Sequence, residues 1–190
     1  MLEEKLRRYG HEAGVAGCSL GGDFRTGFRW QWAVFERDPS AKSFAALRKV
    51  SERLGIWEEV RARALEALEK KDRVGPLIEI ALREGDVGRA LELLPRVSGY
   101  LQNVYWERVA KAAEKKRPFD AARLYRQMAE AVIGERQRKT YRQAAQYLRR
   151  MKAVLDRLGN RREWEEYLTG LKKRYARYPA LLDELQKAKL

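Results

Sequence analysis

Leu82-Arg83-Glu84-Gly85-Asp86-Val87-Gly88-Arg89-Ala90-Leu91-Glu92-Leu93-Leu94 packs a helix end, a corner and a new helix into thirteen residues. Gly85 suits the left-handed position just past a helix C-terminus. Asp86 suits the N-cap of the next helix, because its carboxylate can accept an orphan backbone N–H. Ala90, Leu91, Leu93 and Leu94 then give that helix an apolar stripe, and the small Ala90 lets a neighbour approach closely. A corner this short forces the two helices to run antiparallel.

The same grammar repeats outward in both directions. Phe28, Trp32 and Phe35 fall at i, i+4 and i+7, one face of a helix. Asp38-Pro39-Ser40 breaks that run. Phe44, Leu47, Val50 and Leu54 line the next helix, and Gly55 closes it. A third helix is expected over about 56–71, ended by Asp72 and Gly75-Pro76, with a short helix over 76–84. Towards the C-terminus, helices are expected over about 102–116, from Pro118, from about Arg138 to Leu158, across Trp164 to Tyr175, and from Pro179. No segment alternates as a strand would. Each stripe is too narrow to form its own core, so stacking the pairs is what buries it. The expected fold is all-α: antiparallel helix pairs stacked as a tetratricopeptide-like (TPR-like) α-solenoid over 24–190. A frayed helix and glycine-rich linker are expected over 1–23, where Gly10, Gly14, Gly17, Gly21 and Gly22 cluster.

A weak internal echo supports degenerate repeats. Arg53-Leu54-Gly55 recurs as Arg157-Leu158-Gly159, and Trp57-Glu-Glu follows the first as Trp164-Glu-Glu follows the second. Any helix–turn–helix corner selects such residues, so the echo alone does not establish a repeat.

Tyr141-Arg-Gln-Ala-Ala-Gln-Tyr147-Leu148, Leu158-Gly159, Glu163-Trp164-Glu165-Glu166-Tyr167-Leu168, Leu171-Lys-Lys-Arg174-Tyr175 and Pro179-Ala-Leu-Leu resemble the C-terminal helical region of SWIM-type zinc-finger proteins. Phe35-Glu-Arg-Asp-Pro39-Ser40 and Trp57 fit the same region, so the resemblance covers roughly residues 25–190. It implies a helical, repeat-like interaction surface. The finger itself requires a Cys-x-Cys and Cys-x-His set, whereas this chain has one cysteine, Cys18, and one histidine, His11. A structural zinc site takes four ligands, so the finger's nucleic-acid role does not carry over.

Composition narrows the function classes. A single cysteine makes an internal disulfide impossible. No apolar run approaches the roughly 18–20 residues of a membrane span, and no secretory h-region follows Met1. A cytoplasmic protein without membrane contact is expected. No metal, cofactor or nucleophile motif is present, so no enzyme is expected. Glu107 and Glu114 lie seven apart on one helix face, a spacing that surface helices share.

Charge supplies the strongest functional lead. The formal net charge is +14, and residues 96–190 hold +13 of it. Residues 136–177 carry fourteen Lys/Arg against four acids. At 100° per residue from Tyr141, Ala144, Leu148, Met151, Leu155 and Leu158 fall at about 260–340°, and Arg138, Lys139, Arg142, Arg149, Arg150 and Arg157 at about 60–180°. These six form the candidate polyanion-binding face. A solvated face or an Arg-rich contact for an acidic protein has the same pattern. The expected role is a non-enzymatic scaffold for a protein partner, with nucleic-acid binding through the basic face as the alternative and an oligomerising role as a third.

Overall fold

The computed structural model describes residues 24–99 and 101–190; the expected opening helix and glycine-rich linker, with His11 and Cys18, lie outside the described residues. Ten α-helices and one 3-10 turn account for most of the described chain, which contains no strand. None of the described helices is long and apolar enough to cross a membrane. The chain divides into two compact units after Glu84.

The first unit carries α1 (Phe24–Arg37), α2 (Ala41–Arg53), α3 (Trp57–Lys70) and α4 (Val74–Glu84). Helix α1 packs on α2, α2 on α3 and α3 on α4, and α2 also packs on α4. Phe35, Leu47, Val60, Leu68 and Ile78 are sealed in the core. The break at Asp38-Pro39-Ser40 ends in a capping box. Ser40 Oγ accepts from Ser43 N at 3.2 Å, and Ser43 Oγ accepts from Ser40 N at 3.0 Å. Two orphan donors of the first turn are thereby satisfied.

The second unit carries α5 (Val87–Leu93), a 3-10 turn (Leu94–Arg96), α6 (Gln102–Lys116), α7 (Pro118–Gly134), α8 (Arg138–Arg157), α9 (Arg161–Arg174) and α10 (Pro179–Lys187). Helices α5 to α9 pack in sequential pairs, and α10 returns to α8. The thickest part of the core lies between α7 and α8. Ala121, Ala122 and Ala129 on α7, with Ala144 and Ala145 on α8, leave little side chain between the axes. Tyr125, Leu148, Met151 and Leu155 fill the remaining volume. Asp86 caps α5 as expected, accepting from Arg89 N at 2.9 Å.

The internal echo has a local physical cause. After α2, Ile56 N donates to Ser51 O and Gly55 N to Glu52 O; after α8, Asn160 N donates to Leu155 O and Gly159 N to Asp156 O. Both glycines are left-handed, with φ of 64° and 73°. These are two Schellman closures of the same form, so Arg-Leu-Gly recurs because the helix ends recur.

Two boundaries differ from the sequence expectation. Helix α4 begins at Val74, ahead of Gly75-Pro76. Asp72 takes the left-handed slot (φ 47°) that ends α3, and Pro76 lies in the first turn of α4, where a missing N–H costs nothing. Leu94 leaves the α-helix for the 3-10 turn, because Pro95 follows it.

Candidate polyanion-binding face

Helix α8 turns Tyr141, Ala144, Ala145, Leu148, Met151, Val154 and Leu155 inward. The opposite side is left to the cations. Arg138, Lys139, Arg142, Arg149, Arg150 and Arg157 are all exposed, but they do not act as one set. Arg150 lies 3.6 Å from one oxygen of Glu114, and Arg157 lies 3.4 Å from the other. Both belong to the edge of α8 that meets α6. Arg138, Lys139, Arg142 and Arg149 have no acidic partner among the described residues. Arg138, Arg142 and Arg149 lie at about 60–100° and climb about 16 Å along the helix at 1.5 Å per residue. Lys139 stands towards the Glu114 edge.

Beyond α8, Arg161 and Arg162 are neutralised locally, whereas Arg136, Lys173, Arg174 and Arg177 have no acidic partner among the described residues. Arg161 pairs with Glu165 at 2.9 Å and Arg162 with Glu166 at 2.7 Å along α9. Lys172 donates to the Leu190 carbonyl at 3.0 Å. The free outer cations of α8 are therefore what a polyanion would meet first on that helix.

Glu114 is a residue whose role the sequence did not reveal. It accepts from the buried Tyr125 hydroxyl at 2.7 Å while facing Arg150 and Arg157. Glu107, one heptad earlier, stands beside Tyr147, whose hydroxyl also accepts from Gln143 at 2.6 Å. The seven-residue spacing of Glu107 and Glu114 was the available signal. It places both carboxylates on the side of α6 that faces α8.

Burial, reinforced by the Glu114 carboxylate, pushes the Tyr125 hydroxyl up to about 12. Burial and the neighbouring Glu107 do the same to Tyr147, also to about 12. The folded state thus keeps two protons that the unfolded chain releases near pH 10. Their contribution to stability is complete below about pH 10 and is lost as pH rises towards 12. Urea midpoints measured across that window should fall, and Tyr125→Phe should flatten the fall. A midpoint independent of pH would contradict this reading.

The aromatic rings do not offer a stacking platform on this face. Tyr141 and Tyr147 are buried, and Tyr167 is tied to α7 by its hydroxyl on Glu130 (3.2 Å) and by Arg126, 4.8 Å from its ring centroid. No group of three or more His, Cys, Asp or Glu able to hold a metal occurs among the described residues. What the arrangement offers chemically is a row of guanidinium and ammonium donors for anionic oxygens.

Over 58 residues, 30% of this chain, the sequence is 36% identical to the Uncharacterized protein YwqB of Bacillus subtilis (strain 168), covering 11% of that protein's length. No family model matches the chain, and no solved structure matches it.

Proposed function

We propose that this protein is a non-enzymatic helical interaction module that binds nucleic acid through the outer face of α8. One observation carries the reading: Arg138, Lys139, Arg142 and Arg149 stand exposed without acidic partners among the described residues, whereas Arg150, Arg157, Arg161 and Arg162 are ion-paired. Unneutralised cations in a row gain most from phosphates, because each contact releases a condensed counterion. With Tyr141 and Tyr147 buried, base stacking is not available there, so the binding is to the backbone and indifferent to sequence. The TPR-like stack of antiparallel pairs belongs to the same reading, supported within each unit by the packing of sequential helices and by the resemblance to the SWIM-type C-terminal region.

Fluorescence anisotropy with labelled DNA and RNA tests it. Four phosphate contacts give a slope of about −3.6 in log K against log salt, so affinity for a duplex should fall about 150-fold between roughly 50 and 200 mM salt. Absence of binding at the lower salt would remove nucleic acid from the reading.

A protein partner is the second reading. Phe119 (62% exposed) and Val104 (48% exposed) favour it, since large apolar side chains at such exposure gain from being covered. A pull-down with the wild-type chain that loses its partner on Phe119→Ser would bring this reading forward.

A further inference from the structure

Helices α9 and α10 are joined by Tyr175-Ala176-Arg177-Tyr178, a turn that holds two aromatic rings together. The Tyr175 and Tyr178 ring centroids lie 5.7 Å apart, with the rings inclined at 73°. We propose that this pair is a base-stacking site for single-stranded nucleic acid. The proposal rests on the nucleic-acid reading of this protein and narrows the ligand to an unpaired strand.

The turn fixes the rings before any ligand arrives. Tyr175 N donates to Leu171 O at 3.0 Å, and Tyr178 N donates to Tyr175 O at 3.0 Å. Buried Leu171 and Leu181 anchor the turn on either side, and Pro179 restricts the backbone of Tyr178. Rings held in this way lose little freedom when a base covers them. Both are half-buried, so part of each ring is open. Neither has an arginine over it among the described residues, whereas the rings of Trp32, Trp57, Tyr125 and Tyr167 each do.

The inclination selects the strand. A duplex keeps neighbouring bases parallel and covers both faces of each. Two platforms at 73° take bases that have splayed apart, which an unpaired strand allows. The phosphates beside such bases meet Lys173, Arg174 and Arg177. All three are exposed, lie within two residues of a ring, and have no acidic partner among the described residues. The first turn of α10 adds no acid. Cations that follow a backbone, set beside rings that take its bases, are the combination by which single strands are held. Both flanking helices pack on α8, so the turn belongs to the same unit as the outward cations.

The test uses the full chain and fluorescence anisotropy at about 50 mM salt. The probes are a labelled oligothymidylate of about twelve nucleotides and an abasic strand with the same phosphates. The wild-type chain should bind oligothymidylate about a hundred-fold more tightly, at roughly ten-fold per stacked base. Tyr175→Leu with Tyr178→Leu should bring it down to the abasic level. Tyr175→Phe with Tyr178→Phe should keep it, since phenylalanine also stacks. Arg174→Gln with Arg177→Gln should cut the salt slope for the single strand by about 1.4. Thymidine and abasic strands bound equally, or not bound, would overturn the site. So would a leucine variant that binds oligothymidylate like the wild type. Duplex binding reports on α8 separately: the leucine variant should leave it unchanged, which also shows that the chain still folds. Reversing Arg138, Arg142 and Arg149 should weaken duplex binding and keep the preference for thymidine over abasic strands, so this proposal and the α8 reading fail distinguishably.

Discussion

Arg138→Glu, Arg142→Glu and Arg149→Glu together should weaken duplex binding by at least about a hundred-fold at roughly 50 mM salt and cut the salt slope by about 2.7. Each arginine contributes one counterion released per phosphate met, and reversal adds repulsion where attraction was. The fold should survive. All three side chains are exposed, and a glutamate at position 138 opens the first turn of α8, where the helix dipole favours a negative charge. The matched comparison is Lys42→Glu, Lys49→Glu and Arg53→Glu on α2, three exposed cations of the other unit. That variant has the same change in net charge and should lose only about a few-fold through the long-range field, which salt screens. Equal losses in the two variants would mean that overall charge, and not the α8 face, does the binding.

Leu148→Ala should cost about 3 kcal/mol and lower the melting temperature of the second unit by on the order of 10–20 °C. Leu148 is 0% exposed, in the middle of the stripe that α8 presents to the core. Removing three carbons there leaves a cavity between helices whose alanines already bring the backbones close, so little collapse is available to fill it. The neighbouring exposed Gln146 is the contrast: Gln146→Ala should stay within about 0.5 kcal/mol of wild type. Thermal denaturation followed by circular dichroism separates the two. A Leu148→Ala loss below about 1 kcal/mol would mean that this stripe does not carry the packing of α8.

Helix ends were the most legible part of the sequence, because their chemistry is local. Ser40, Gly55, Asp86, Pro118 and Gly159 each act within a few residues, and each marks the boundary that its chemistry requires. Asp72 is legible as a breaker, but its left-handed conformation is not; that conformation is uncommon for a residue with a Cβ, and it lets α4 start before Gly75-Pro76. The inward stripe of α8 was equally legible, since a period of 3.6 needs no knowledge of the neighbour. The basic face was legible only as a set of angles. A helical wheel treats Arg149 and Arg150 alike, yet Arg150 meets Glu114 and Tyr125 across the packing of α6 and α7, and Arg149 meets no acid among the described residues. That division depends on which helix lies alongside, a tertiary fact.

The most direct measurement is NMR mapping of a short duplex titrated into the labelled full chain at about 50 mM salt. Shifts should concentrate on the amides and side chains of Arg138, Lys139, Arg142 and Arg149, with Arg161 and Arg162 little changed. Shifts centred on α9 or the first unit, or none at all, would contradict the proposal that the outer face of α8 is the working surface of this protein.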